Sequence, residues 1–130
     1  MADEEHSKYR IAVASTDGET VNQHFGKAEK FYIYFVDDNE GYDFVEERSA
    51  PAVCGGQMHV EPEMEAKARL FSDCRYIVVA KIGAGASRHL AVNGITSLEA
   101  PGAIDDAVVK VWKYNRVLGL TGINKKLFEV

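Results

Sequence analysis

Two segments of this chain would be apolar on both faces if they formed strands, because their successive residues are nearly all apolar. They are residues 10–15 (RIAVAS) and 75–82 (RYIVVAKI). Strands with this pattern lie in the middle of a sheet that is covered on both sides, because each face must be buried. Residues 31–36 (FYIYFV) form a third predicted strand, and residues 42–48, with polar neighbours around Phe44, form a more exposed one. The turn-forming residues between the last two predict a hairpin.

Three helices are predicted around the later strands. The first begins near Pro62, since proline is tolerated in the first helical turn, and its apolar face consists of Met64, Ala68 and Phe71. Ser87 is predicted to cap a second, short helix that Gly94 ends in the left-handed conformation. Residues 95–99 form a fifth strand. The third helix has a stripe formed by Ile104, Ala107, Val108 and Val111.

The element order β-β-β-α-β-α-β-α predicts an α/β fold with a mixed sheet and helices on its faces. The most economical arrangement is a five-stranded sheet of order 3-2-1-4-5, in which strand 2 is antiparallel. We expect residues 1–9 to be a flexible tail, residues 10–118 to form the domain, and residues 119–130 to be a carboxyl-terminal extension.

Charge and composition exclude several classes of function. The 130 residues carry a formal net charge of −5 without a dense basic run, which argues against a nucleic-acid partner. No apolar stretch reaches the roughly 18–20 residues that span a bilayer, and the polar amino terminus lacks a signal segment. Two cysteines are too few for a disulfide framework. We therefore expect a cytoplasmic protein with free thiols and no membrane partner.

The predicted topology places four loops at one edge of the sheet, because the strands before them run in the same direction. These loops are residues 16–30, 50–61, 83–87 and 100–102. Ligands of open α/β sheets bind at the edge formed by the carboxyl ends of parallel strands. The first loop, at about 15 residues, is long enough to indicate a functional role.

Three residues with metal-ligating side chains, His24, Cys54 and His59, fall in the first two of these loops. Imidazole and thiolate are common ligands of transition metals. Each residue also has an interpretation without a metal. His24 could be an ordinary surface histidine, and Cys54 could be a small loop residue without a function. His59 could simply belong to the start of the first helix. Cys74, before a buried strand, is predicted to belong to the core.

The loop after the fourth strand reads Gly-Ala-Gly-Ala-Ser, residues 83–87. Glycines ahead of a helix start can hold an anion with backbone N–H groups. The pattern matches neither a Walker loop nor the dinucleotide fingerprint, so it is a weak indication of phosphate binding. A tight strand-to-helix turn is the alternative, and in a cluster carrier the loop could donate hydrogen bonds to sulfides or a carboxylate.

The segment RIAVASTDGETVNQHFGKAEKFYIY, residues 10–34, resembles the amino-terminal signature of the dinitrogenase iron–molybdenum cofactor biosynthesis family. This family includes NifX and NafY type proteins and the carboxyl-terminal domain of NifB. The resemblance covers roughly residues 10–118. It continues through residues 54–56 (CGG), 73–74 (DC), 81–83 (KIG) and 93–95 (NGI).

This resemblance implies a ribonuclease-H-like three-layer α/β/α fold and a carrier of an iron–sulfur cluster or iron–molybdenum cofactor precursor, not an enzyme. His24 matches the histidine proposed as a cluster ligand, with Cys54 and His59 as further candidates. Many relatives have a second cysteine or histidines near the Cys54 segment, whereas here only His59 is close. The implied partners are metallocluster assembly proteins. The residues expected around the cofactor are Asn22, Gly26, Lys27, Gly83, Gly85, Ser87 and Arg88.

Two other functions remain open at the level of sequence. One is a module that docks partner proteins or senses redox state without a cluster of its own. The other is a metal-dependent phosphoryl hydrolase, but two-metal chemistry needs converging carboxylates. The first strand has none, and Asp17 is alone nearby.

Overall fold

The structure, a computed structural model, describes residues 8–37, 41–53 and 60–129. Its ten elements follow the chain in an order close to the expected one. They are β1 (Lys8–Ala14), β2 (Thr20–Val21), β3 (Lys30–Asp37), β4 (Gly41–Ser49), α1 (Val60–Arg69), β5 (Tyr76–Val79), α2 (Ala84–Val92), β6 (Thr96–Glu99), β7 (Gly102–Ala103) and α3 (Ile104–Glu129).

The main sheet has five strands in the order β4-β3-β1-β5-β6. Strand β1 pairs antiparallel with β3 and parallel with β5, and β5 pairs parallel with β6. The expected mixed five-stranded sheet of an α/β fold is therefore confirmed. Strands β1 and β5 lie centrally, which explains why both are apolar on both faces.

Helices cover the sheet on both faces. On one face, alternate residues of β1, β3 and β5 pack against α1 and α2. The core on this face also includes Phe71, which follows α1, and Leu90 of α2. On the other face, the intervening strand residues pack against α3 through Ile104, Val108 and Val111. The molecule is thus built in three layers. No helix in the described part of the chain is both long and apolar enough to cross a lipid bilayer.

Strand β1 begins at Lys8, earlier than the boundary expected from the sequence. Lys8 pairs with Asp37, and Tyr9, which is only 5% exposed, packs edge-on against Tyr76. Residues 8 and 9, which were expected in the flexible tail, therefore belong to the sheet. Antiparallel pairing with β3 extends the strand, because a buried aromatic ring stabilises the added pairs.

Helix α2 begins at Ala84, so the prediction that Ser87 caps it is wrong. Gly83 is the N-cap, in an extended conformation and without a side-chain cap. The Ser87 N–H already donates to the Gly83 carbonyl within the first turn, and its hydroxyl bonds to that of Ser97, 2.9 Å away on β6. The other end is as expected: Gly94 follows the helix with a φ of 80°.

A second, two-stranded sheet joins β2 to β7, which the sequence analysis did not predict. Thr20 pairs with Ala103 and Val21 with Gly102, and the Ile104 N–H donates to the Glu19 carbonyl at 2.9 Å. Strands of two residues are too short to show an alternating pattern. This sheet ties the long loop after β1 to the start of α3.

Candidate functional site

The segment around His24 continues the sheet beyond the end of β5. The Ala80 N–H donates to the Gln23 carbonyl at 2.9 Å, and the Phe25 N–H donates to the Lys81 carbonyl at 3.0 Å. His24 and Lys81 thereby form a parallel bridge. Backbone pairing thus places His24 at the carboxyl edge of the sheet, beside the loop that leads to α2.

A tight turn follows His24 and buries the next side chain. The N–H groups of Lys27 and Ala28 both donate to the His24 carbonyl, at 3.2 and 3.0 Å. Phe25 is fully buried, and its ring centroid lies 6.0 Å from that of Phe31 and 6.5 Å from that of Phe71. Because this ring anchors the turn, the imidazole of His24 is left exposed at the surface.

The Gly26 carbonyl joins three parts of the chain. It accepts a hydrogen bond from the Val53 N–H at 2.7 Å and one from the Lys67 Nζ of α1 at 3.3 Å. Val53 directly precedes Cys54 in the sequence. The start of the second predicted site loop is therefore attached to the His24 turn, as the predicted topology requires.

The loop before His24 is closed by its own side chains. The Asp17 carboxylate accepts hydrogen bonds from the backbone of Glu19 and Thr20, both at 2.9 Å, and these bonds lower its pKa to about 2. The Asn22 amide exchanges two hydrogen bonds with Thr16, at 3.1 and 2.9 Å. These contacts give Asn22 a role in shaping the loop.

An open cavity of about 280 Å³ lies between the His24 turn and the start of α2. Its described wall contains two lysines and no acidic residue, although the chain as a whole has a net charge of −5. The residues that line it are His24, Phe25, Gly26, Lys27, Val53, Met64, Lys81, Ile82, Gly83 and Ala86.

Four of the predicted site residues therefore share this cavity: His24, Gly26, Lys27 and Gly83. Three others do not line it, although they lie on the adjacent helix α2. Gly85 and Arg88 are exposed there, and Ser87 bonds to Ser97. Cys54 and His59 lie outside the described residues.

No group of three or more His, Cys, Asp or Glu side chains arranged for a metal ion occurs within residues 8–37, 41–53 and 60–129. Among these residues, His24 is the histidine at the cavity. The other described histidine, His89, bonds through Nδ1 to Glu65 at 2.9 Å, which ties α2 to α1. A metal at the cavity would therefore need donors from elsewhere, either from residues 54–59 or from the ligand itself.

A second, polar cleft of about 570 Å³ adjoins the first and shares Lys27 with it. Its charged lining residues include Lys30 and Glu47, which form an ion pair at 3.1 Å. The lining of this cleft therefore carries both positive and negative charges, which partly neutralise each other. The smaller cavity differs in having only cationic charges among its described lining residues.

Cys74 belongs to the core, as the sequence predicted. It is 3% exposed and packs in the cluster beneath α1. Burial, reinforced by the neighbouring Asp73 carboxylate, raises the pKa of the Cys74 thiol to about 12. A thiol that stays protonated is a poor nucleophile and metal ligand.

Sequence reasoning did not identify Lys67 and Lys81 as site residues. Lys67 is 1% exposed on α1, and burial lowers the pKa of its ammonium group to about 8. The sequence offered a signal for Lys67, because its position falls on the apolar face of the predicted helix, with Met64, Ala68 and Phe71. A lysine on an apolar face is rare enough to call for a reason.

A model of the family described as dinitrogenase iron–molybdenum cofactor matches residues 7–114. The chain belongs to this family. It is 36% identical to the FeMo cofactor biosynthesis protein NifB of Chlorobaculum tepidum over 84% of the chain, and it spans about 25% of that relative's length. It is also 29% identical to protein NifX of Sinorhizobium fredii (strain NBRC 101917 / NGR234), with 92% of the chain and 84% of the relative covered.

The fold of this family member also matches a solved structure. The crystal structure of PH0822 superposes with a TM-score of 0.60 and covers 80% of this chain and 89% of that one. Sequence identity is 17%, so this likeness concerns the fold alone.

Proposed function

We propose that this domain binds and carries an iron–sulfur cluster or iron–molybdenum cofactor, or a precursor of either, during nitrogenase cofactor biosynthesis. Membership of the family, together with the names of the NifB and NifX relatives, supports a role in that process. The domain acts as a carrier in the cytoplasm and not as an enzyme. In this proposal its partners are the scaffold and apo-enzyme proteins of metallocluster assembly, and its fold is of the ribonuclease-H-like type that the family resemblance implies.

The observation that carries this proposal is the composition of the cavity. It combines an exposed imidazole, His24, with Val53, whose backbone leads directly into Cys54. In the proposal His24 ligates the metal, and Cys54 and His59 supply further ligands. Few protein ligands suit a carrier, because a cluster with four thiolate ligands, the common permanent arrangement, is harder to release.

The remaining predicted residues have supporting roles in this proposal. Gly26 and Gly83 leave room for a bulky ligand, and Lys27 offsets its negative charge. Asn22 holds the loop in shape. The positive end of α2, with Gly85, Ser87 and Arg88 in its first turns, faces the same edge of the sheet and favours an anion.

Anaerobic reconstitution tests the proposal directly. The purified protein is incubated with ferrous iron and sulfide, and bound cluster is quantified by absorption spectroscopy and by iron and sulfide analysis. We expect His24→Ala and Cys54→Ala each to lose most of the bound cluster. The matched control is His89→Gln, which keeps a donor for Glu65 and lies outside the cavity lining. A wild-type protein that retains no iron and sulfide would refute the carrier function.

The alternatives receive less support from the described contacts. A redox sensor needs a reactive thiol, and burial makes the thiol of Cys74, the cysteine among the described residues, unreactive. A sensor in this chain would therefore have to use Cys54, which the proposal assigns to the metal. A two-metal hydrolase needs converging carboxylates. The Asp17 carboxylate is instead occupied by the backbone N–H groups of its own loop.

A further inference from the structure

Lys67 is a buried cation directly behind the wall of the candidate cavity. Its Nζ donates to the Ala28 carbonyl at 2.7 Å and to the Gly26 carbonyl at 3.3 Å. The ring centroids of Phe25 and Phe31 lie 5.1 and 5.6 Å from the same nitrogen. Gly26 and Phe25 are also lining residues of the cavity, so the groups that contact the ammonium group form part of its wall. Lys67 itself lines a neighbouring cavity, which shares Val53 with the first.

The partners of this ammonium group are neutral. Two backbone carbonyls accept its hydrogen bonds, and two aromatic rings make cation–π contacts with it. None of these partners carries a negative charge that would neutralise the ammonium group. Within the described part of the chain, no carboxylate lies within ion-pair distance of Lys67. Glu29, which is exposed, acts on it only at longer range. The positive charge beside the cavity wall therefore has no close counter-charge among the described residues.

Two exposed lysines, Lys27 and Lys81, line the same cavity, and none of its described lining residues is acidic. One carboxylate, that of Glu99 on β6, reaches this wall, where it accepts a hydrogen bond from the Ile82 N–H at 2.9 Å. The lysines around the cavity outnumber it. Exposed charges are screened by water and salt, whereas a buried charge is screened much less. Lys67 is thus the one of the three whose field persists at high ionic strength. On a chain with a net charge of −5, this concentration of positive charge marks the cavity as a place for an anion.

We propose that Lys67 makes the cavity selective for anionic metal–sulfur species. It acts as a positioning residue, holding the His24 turn through two carbonyls while its charge favours a sulfide-rich metal–sulfur anion over a bare metal cation. This inference rests on the proposed carrier function and identifies what sets the charge preference of that site.

The test compares two probes of opposite charge, tetrathiomolybdate as the anion and ferrous ion as the cation, under anaerobic conditions. We expect Lys67→Met to weaken tetrathiomolybdate binding by about tenfold, which corresponds to about 1.4 kcal/mol. Ferrous ion should bind as well as before or more tightly. Lys67→Arg should retain the anion preference. The matched control is Lys110→Met, an exposed lysine on α3.

A purely structural role for Lys67 would weaken both probes together, and that result would overturn the proposal, as would unchanged binding of both. If Lys67→Met does not fold, the wild-type protein supplies the decisive measurement in about 0.5 M salt, where screening acts over about 4 Å. A persistent preference for tetrathiomolybdate supports the buried charge, and its loss contradicts it.

The two proposals fail differently. If wild-type protein takes up an iron–sulfur cluster but Lys67→Met matches it for both probes, only the role of Lys67 is refuted. If wild-type protein takes up neither the cluster nor tetrathiomolybdate, both proposals are refuted.

Discussion

Replacing Phe25 with alanine should destabilise the protein far more than removing an exposed aromatic residue of similar size. Phe25 is fully buried and packs against Phe31, Phe71 and the Lys67 ammonium group. Truncating a buried phenylalanine typically costs about 3–5 kcal/mol, of which the aromatic pairs account for about 0.5–1.5 kcal/mol each. We expect Phe25→Ala to lower the free energy of unfolding by about 4 kcal/mol, because the rings of Phe31 and Phe71 and the Lys67 ammonium group all lose a partner.

Urea denaturation followed by circular dichroism measures this loss, provided that the slope of the transition is unchanged. The control is Phe44→Ala on β4, since Phe44 is 57% exposed and contacts mainly Tyr32 and Tyr34. We expect Phe44→Ala to lower the free energy of unfolding by only about 1 kcal/mol. In a thermal scan, the Phe25 variant should melt about 10–15 °C below wild type.

The result that would refute this reasoning is a Phe25→Ala variant no less stable than Phe44→Ala. It would show that the His24 turn is not anchored by the buried ring. A stable variant that also lost cluster binding would instead indicate that Phe25 acts only on the geometry of the cavity.

Three further predictions follow from the same contacts. Because burial lowers the pKa of Lys67 to about 8, the unfolded chain binds more protons above that pH, and the free energy of unfolding should rise with pH. We expect a gain of about 0.5–1 kcal/mol between pH 8 and pH 9 in wild type relative to Lys67→Met, from urea titrations; equal slopes would contradict it. Cys74, whose pKa is raised to about 12, should resist iodoacetamide in the native protein and react after unfolding, as read by peptide mass spectrometry; rapid native labelling would be inconsistent with its burial. Asn22→Ala removes both hydrogen bonds to Thr16 and should cost about 1 kcal/mol, with faster amide exchange at Thr16. Exchange at the wild-type rate would show that these bonds do not hold the loop.

Much of the fold was predictable, because strong local patterns coincide with its central elements. Strands β1 and β5 are apolar on both faces and had to be covered on both sides. Gly94 ends α2 with a positive φ, as its position indicated. The start of β1 at Lys8 was missed because it depends on pairing with Asp37, which lies far away in the chain. The start of α2 was missed because Gly83 takes the N-cap position and Ser87 already lies within the first turn.

The candidate site was only partly predictable. The topology brings His24 and Gly83 to one edge of the sheet, and both line the cavity. It could not show that the Ser87 hydroxyl bonds to β6. Nor could it show that Lys67 supports the turn, because two carbonyl groups satisfy this lysine and backbone carbonyls have no signature in the sequence.

The amino-acid sequence by itself predicted the layering and the edge of the sheet at which the candidate site loops meet. Runs of apolar residues indicate which strands are buried, and the connections between strands indicate which way they run. Only the tertiary structure decided how charge is distributed around the cavity. The field at a point depends on distances between side chains from separate elements, such as Lys27, Lys67 and Lys81, and on how much water lies between them. Folding alone sets those distances.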